Sequence, residues 1–334
     1  MSDSRMHDEI GPEADVSAGP QIDRTAMLGA RPISDFNGRT PGYTIGIIAL
    51  DLLLIIAVAA LCEAFWSPAA YIVAVMFIGA RQVGLATIVL HDGVHGTLLK
   101  NRKHNDRFAK FMCWVVLAPL VQGFDAFRKI HLGHHRSTNE SDDPDLPLLD
   151  YVYAAPVARV MATPLLCFIG VVFASYLRMY VRVSWQRKVG VFAATAGLVA
   201  GLWFSVRWCE LFVLYYLLPF ATWGMFVNLV RVSVEHYPAG SYGRPSTLSG
   251  VILTRETIPS WFDKLFVVTR NLNYHFTHHL FPSVSFRRLA ELQRHLAGSA
   301  AYREVAHVTY GYHRALAEML LRGRKANTAA VVHS

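Results

Sequence analysis

Residues 42–95 read GYTIGIIALDLLLIIAVAALCEAFWSPAAYIVAVMFIGARQVGLATIVLHDGVH. The part from Gly42 to Trp66 is apolar for long enough to cross a bilayer as a helix, which takes about 20 residues. A second apolar run extends from Tyr71 to Leu90. Only Ser67, Pro68 and small residues separate the two, so they read as a membrane hairpin with a very short outer turn. The second arm delivers His91 and His95 directly at its inner end. An oily hairpin that ends on a histidine pair decides how the rest of the chain is read.

Composition agrees with a membrane reading. Of 334 residues, 53% are hydrophobic and only 17% are charged. An ordinary soluble domain is about 25% charged, so this chain lacks the charge to cover a water-facing surface. Disorder over most of the length is excluded on the same ground. The net charge of +8 suits lysine and arginine held on a cytoplasmic face. No basic run interleaves with aromatics, so nucleic acid is not an expected partner. Cys62, Cys113, Cys167 and Cys209 lie far apart and form no C-x-x-C, which argues against a disulfide framework or a cysteine zinc site.

Outward from the hairpin, residues 1–40 are polar and rich in Gly, Pro, Ser and Asp, and are expected to be a disordered cytoplasmic tail. Residues 91–154 carry too many charges for lipid, and FMCWVVLAPLV within them (111–121) is too short to span. Apolar character returns at about 155–177, 188–207 and 210–230. The linker Arg178–Lys188 carries four basic residues, which places it on the cytoplasmic side. On that basis 155–177 lies at the interface, and the last two runs form a second hairpin closed outside near Arg207–Glu210. The expected fold is an all-α integral membrane protein. About four transmembrane helices stand in two hairpins, under a cytoplasmic helical cap that carries the histidines.

Histidine is the unusual count, at 15. Eight of these fall in three windows: His91 and His95; His131, His134 and His135; His275, His278 and His279. On a helix, positions i, i+3 and i+4 share one face, so each window aims its imidazoles at one point. Neutral imidazole is the commonest metal ligand and suits iron, zinc and copper. Eight ligands exceed what one ion takes and fit two metals, each with an open position. All three windows can meet just outside the bilayer, over the mouth of the bundle. Gln82, about 13.5 Å deeper than His91 along a helix, is costly against lipid and is expected to face the bundle interior with Arg81. It is a candidate for a substrate channel or for a polar clamp between helices. Asp51 in the first span receives no function. His7, His104, His295, His307, His313 and His333 read as surface or tail residues.

HDGVHGTL, FRKIHLGHHRSTNESDDPDL and NLNYHFTHHLFPSVSF resemble, in that order, the three histidine boxes of the membrane-bound fatty-acid desaturase superfamily. The last is similar to the N-Y-H-x-x-H-H-L-F-P signature of its acyl-lipid members. Thr277 departs from the pattern, since many relatives carry an acidic residue there. The resemblance covers about residues 42–295. It implies a membrane domain over 41–295, followed by a helical cytoplasmic extension and tail over 296–334. It implies two iron ions held by the box histidines, with O2 as co-substrate, in a multi-pass bacterial inner-membrane protein. It also implies a ninth ligand, His236, just past the last apolar run. From the residues alone, Arg231 and Glu235 beside it are a helical i, i+4 ion pair.

A ligating histidine usually donates its other ring N–H to an acceptor. Asp92, Asp125, Asp142, Asp143 and Asp145 are candidates by closeness in sequence, as are Asn271 and Asn273 before the third box. Neither a haem H-P-G-G nor a strand-borne G-x-G-x-x-G is present, so electrons must come from outside. The resemblance implies a ferredoxin or a b-type cytochrome with its reductase. The first functional reading is desaturation or hydroxylation of a lipid acyl chain. A carotenoid hydroxylase or ketolase is second, and a hydrocarbon or small-molecule oxygenase resembling the rhizopine-catabolism type is third. A zinc hydrolase would need the glutamate of H-E-x-x-H, which HDGVH lacks. A metal transporter would place its ligands near the midplane.

Overall fold

The structure, a computed structural model, describes residues 22–38, 40–113, 123–168, 206–237, 250–268 and 270–330, with isolated positions between 170 and 200. Helix α1 (Arg24–Leu28) precedes α2 (Pro41–Ala64), which opens on a proline whose missing N–H is no loss at a first turn. Helix α2 buries only the stripe Thr44, Ile48, Asp51, Ile55 and Cys62, while Leu53 and Ile56 are more than 60% exposed. A helix apolar all round, packed along one stripe, is built to face lipid on the rest.

Ser67 then caps α3 (Pro68–Ala86), its hydroxyl accepting from the Ala70 amide at 3.1 Å. The helix runs on through a π-helical segment, Thr87–Asp92, to a closing turn, Gly93–His95. Gly96, in the left-handed region at φ 73°, ends it. Helices α4 (Arg102–Met112), α5 (Phe124–Arg136), α6 (Leu146–Ala154) and α7 (Pro156–Phe168) follow. Helix α8 (Val206–Phe212) continues through two π-helical segments, Val213–Leu217 and Phe220–Gly224, into α9 (Met225–Glu235). This rod crosses α3 so closely that a Cβ on Gly79 would lie 2.6 Å from the Pro219 carbonyl oxygen. Small residues at such a crossing let two membrane helices approach.

Strand β1 (Arg255–Ile258), α10 (Trp261–Phe266), α11 (His275–Leu280), α12 (Phe286–Leu296), α13 (Ala300–Val305), β2 (His307–Tyr310) and α14 (Tyr312–Ala330) complete the order.

Among the described residues three helical rods are long and apolar enough to cross a membrane: α2 with the turn before it, Pro68–His95 and Val206–Glu235. The expected fourth, 188–207, lies almost wholly outside the described residues, as do 114–121 and most of 169–177. The described part of 155–177 is the apolar helix α7, 13 residues long. Arg207 pairs with both Glu63 and Glu210, so the ends of α2 and α8 meet where the outer turns were expected.

The molecule is mostly helical, but all-α is corrected by one parallel two-stranded sheet, which pairs Arg255 with His307 through Ile258 with Tyr310. Two four-residue strands about fifty residues apart leave no alternation to read. Within the expected tail, residues 22–38 are ordered by tertiary contact. Met27 and Phe36 are buried in a cluster with Phe276, Leu289 and Leu292.

Candidate metal centre

The first box straddles a change of helix type. His91 sits in the π-helical segment and His95 in the closing turn, and both rings face the second and third boxes. π-Bulges widen one turn and recur where function needs a displaced side chain. The second box occupies the last turn of α5 and the third fills α11. His236 follows α9 in extended conformation, and Tyr237 after it holds φ 45°, strained for an aromatic residue. The chain turns there, with the Tyr237 amide donating to the Leu253 carbonyl at 2.6 Å.

All nine histidines named from the sequence converge, in two groups. His91, His95, His131, His135 and His278 offer ring nitrogens that lie within 4.8 Å of one another. His134, His236, His275 and His279 form a second group by the same measure. The boxes divide between them in complementary fashion. In the second box the i and i+4 residues go to the five-histidine group and the i+3 residue to the other; in the third box the assignment is reversed.

The Nε2 atoms approach closely. In the first group His95 and His131 are 2.9 Å apart, His131 and His135 3.2 Å, and His135 and His278 3.0 Å. In the second group His134 and His236 are 3.2 Å apart, His236 and His275 3.4 Å, and His275 and His279 3.1 Å. Nitrogen ligands about 2.1 Å from a shared metal would be separated by about 3.0–3.4 Å, depending on geometry.

The outer ring nitrogens decide what those contacts mean. His134 Nδ1 lies 2.9 Å from both Asp143 oxygens. His236 Nδ1–H donates to the Val232 carbonyl at 2.7 Å. His279 Nδ1–H donates to Thr138 Oγ1 at 3.1 Å, while the Thr138 hydroxyl donates to the His134 carbonyl. Protons on these Nδ1 atoms leave bare lone pairs on Nε2, all pointing inward. Lone pairs facing at 3.2 Å repel unless a cation lies between them. In the other group His91 Nε2 is buried with no hydrogen-bond partner, a rare condition for a buried polar atom. The donor set fits metal ions.

Burial supports the same protonation states. It pushes the pKa of His131, His275, His278 and His279 well below the ordinary value, with help from neighbouring imidazoles. It carries His135 down to about 2 and His236 to about 3. Burial opposes a charge on His134 as well, but the hydrogen bond to Asp143 and the charge on Asp145 outweigh it and raise its pKa. Neutral imidazoles are the ligating form.

The supporting residues sort differently from sequence order. Asp92 meets His91 Nδ1 at 3.2 Å and accepts from Thr97 and the Phe286 amide. Asp143 is the acceptor for His134, fixed by the Asn139 and Asp145 amides, and Asp145 stands 3.7 Å from the same ring. Asp125 is instead bound to Lys110 at 2.9 Å, and Asp142 accepts from Ser137. Asn273 exchanges hydrogen bonds with Thr257, which ties the third box to β1, and Asn271 donates to the Phe286 carbonyl. Gln82 donates to the Tyr216 carbonyl in a π-helical segment, so it clamps two rods together rather than lining the cavity beside the histidines. Arg81 and Arg270 enclose the carboxylate of Asp51.

Two supporting residues were missed. Thr138 had no spacing signal beyond its place after the second box. Glu235 forms the expected pair with Arg231 but also lies 3.7 Å from His275 Nδ1 and accepts from the Tyr312 hydroxyl at 2.5 Å. The tyrosine comes from 77 residues away in the chain, which no local pattern reveals.

A cavity of about 150 Å³ opens beside both groups, touching His91 and His131 of one and His134, His236 and His275 of the other. Its remaining walls are mostly apolar and come from α3, α5 and α9.

A dihydrorhizobitoxine desaturase of Bradyrhizobium elkanii is 28% identical over 290 residues, covering 78% of this chain and 76% of that protein. The fatty acid desaturase family matches residues 66–311, a stretch that contains every histidine of both groups. By that match the chain belongs to the fatty acid desaturase family.

Proposed function

We propose that the chain is an oxygen-dependent di-iron oxidoreductase that removes hydrogen from an aliphatic C–H bond, giving an alkene or an alcohol. The inward-facing Nε2 lone pairs of nine histidines carry this reading. His91, His95, His131, His135 and His278 would hold one iron, and His134, His236, His275 and His279 the other. Iron when bound supplies the oxidising chemistry that side-chain acids and bases cannot.

The protein's own part is positional. Asp143, Thr138, Val232 and Glu235 orient the rings of the four-histidine group. The mostly apolar cavity would bring a C–H bond against both groups. Desaturation takes two hydrogens from the substrate and two electrons and two protons from outside, and O2 leaves as two waters. Hydroxylation leaves one oxygen atom in the product. No nicotinamide or haem motif is present in the sequence, so the electrons are assigned to a separate ferredoxin or b-type cytochrome with its reductase. The histidines would face the cytoplasm of a bacterial inner membrane, where such donors work.

For the substrate, a lipid acyl chain and a small molecule compete. The third box supports the first. The relative, by name a dihydrorhizobitoxine desaturase, supports the second. Expression in a host supplied with iron and a ferredoxin system tests the reaction. A product about 2 Da lighter than its precursor, absent with a His134→Ala, His278→Ala variant, supports desaturation, and a gain of about 16 Da supports hydroxylation. Native protein loaded with zinc and inert toward O2 would overturn the oxygenase reading.

A further inference from the structure

Helix α11 carries three of the nine histidines and divides them, His278 to the five-histidine group and His275 with His279 to the other. It is six residues long, and all six are buried. A helix this short has no stability of its own, so its rotation is set by what grips it. Ring nitrogens stand about 5–6 Å from a helix axis. A turn of about 10° therefore moves all three by about 1 Å, more than a preorganised site tolerates.

The grip at the start of α11 comes from outside the helix. The first amides of a helix have no partner within it, and the residue before it normally supplies one from its side chain. Tyr274 holds that place and makes no such bond. The Thr277 amide donates instead to a carboxylate oxygen of Glu256, on β1. Glu256 and Thr277 are both 0% exposed, so water does not stand in as acceptor. The Glu256 backbone also bridges to Tyr274, and the Thr277 hydroxyl meets the Tyr302 hydroxyl, on α13, at 3.3 Å.

A carboxylate is a costly choice for this place. The second oxygen of Glu256 is buried with no hydrogen-bond partner, and burial pushes the pKa up to about 7. A half-satisfied buried carboxylate is poor evidence of a stabilising role. Reach is what this side chain offers, from a paired strand to the third amide of α11. In either protonation state one oxygen accepts from that amide. The preceding residue, Arg255, points to the opposite face of the strand, where it donates to Thr309 and Glu318. The two faces of β1 can therefore be tested apart.

We propose that Glu256 is a positioning residue for both histidine groups. By accepting from the Thr277 amide it fixes the rotation of α11, and so sets His275, His278 and His279 together. Asp143 orients a ring of one group; Glu256 acts on both. The inference rests on the metal-binding reading above.

The test uses full-length protein in detergent, loaded with iron and titrated with a chelator. Iron per chain is read by native mass spectrometry, and the unfolding midpoint of the metal-free protein is measured alongside. Glu256→Leu keeps the bulk and removes the acceptor, and is expected to weaken both groups about 10- to 100-fold. Glu256→Asp keeps the charge and shortens the reach, and is expected to weaken both about three- to tenfold. Glu256→Gln keeps the reach and an acceptor without the charge, and is expected to stay within about threefold of wild type. Glu318→Gln, behind the strand, is expected to leave both steps in place. A normal Asp variant beside a weakened Gln variant would make charge the operative property and overturn the proposal. So would a shift in one group alone, an equal shift in Glu318→Gln, or a lower metal-free midpoint in Glu256→Leu with both iron steps unmoved. Should Glu256→Leu fail to fold, the Gln and Asp variants decide. With two irons on the wild type, these outcomes leave the metal-binding reading standing. Wild type that holds no iron overturns that reading and the proposal together.

Discussion

The two histidine groups differ in how their rings are held. In the four-histidine group three outer nitrogens meet an acceptor, in Asp143, the Val232 carbonyl and Thr138, while His275 Nδ1 has no hydrogen bond and lies 3.7 Å from Glu235. In the five-histidine group His91 meets Asp92, while His278 Nδ1 is buried without a partner, and His131 is steadied by stacking on Phe127 at 5.1 Å. One group has fewer imidazoles, most of them in fixed orientation; the other has more imidazoles and fewer anchors. Preorganisation and ligand number are separate means to one end, and outer partners alone change metal affinity roughly 10- to 100-fold. We therefore expect the four-histidine group to hold its metal more tightly.

Replacing a ligand should show the largest effect. His236→Ala and His278→Ala should each lower the metal count by about one per chain and turnover by more than about 100-fold. Counting metal by mass spectrometry of the intact protein checks this, and an unchanged count in either variant would dissolve the partition into two groups. The anchors come next. Asp143→Asn should weaken the four-histidine group roughly 10- to 100-fold and leave the other group loaded. Metal titration followed by absorbance reads both steps. Thr138→Val removes a single uncharged acceptor from His279 and should weaken the same group less, by about three- to tenfold.

The smallest effect separates fold from site. Glu318 bridges Arg255 on β1 and His307 near the sheet edge. Burial alone would raise its pKa, but the hydrogen bond with His307 and the Arg255 charge bring it down to about 2. Its folded pKa lies below its unfolded one, so its stabilisation is complete above the unfolded pKa and fades as pH falls toward about 2. Glu318→Gln should lower the unfolding midpoint at neutral pH and flatten its decline on acidification, with the metal count unchanged. A lost metal would mean that the sheet supports the centre directly.

Much of the centre was legible because helical geometry makes H-x2-H-H a local statement: three rings on one face need no knowledge of the fold. The split of each box between two groups was not legible, since it depends on how α5 and α11 face each other. Closeness in sequence served Asp92 and Asp143 well and failed for Asp125, which Lys110 takes. It also failed for Asn273, whose amide is spent on β1. Glu235 was visible only as half of an ion pair, because Tyr312 and His275 reach it from distant segments. For the fold, the two apolar rods from 41 to 95 followed from length and hydropathy. Residues 22–38 did not, because Met27 and Phe36 are ordered by α12 and its neighbours rather than by any pattern of their own.

The most direct measurement is native mass spectrometry of the full-length protein during titration with an iron chelator. The expected result is two irons per chain lost in two separate steps. The first step should be absent in His278→Ala and the second shifted to lower chelator concentration in Asp143→Asn. A single iron, zinc in place of iron, or loss of both ions in one step would contradict a centre built from two unequal histidine groups.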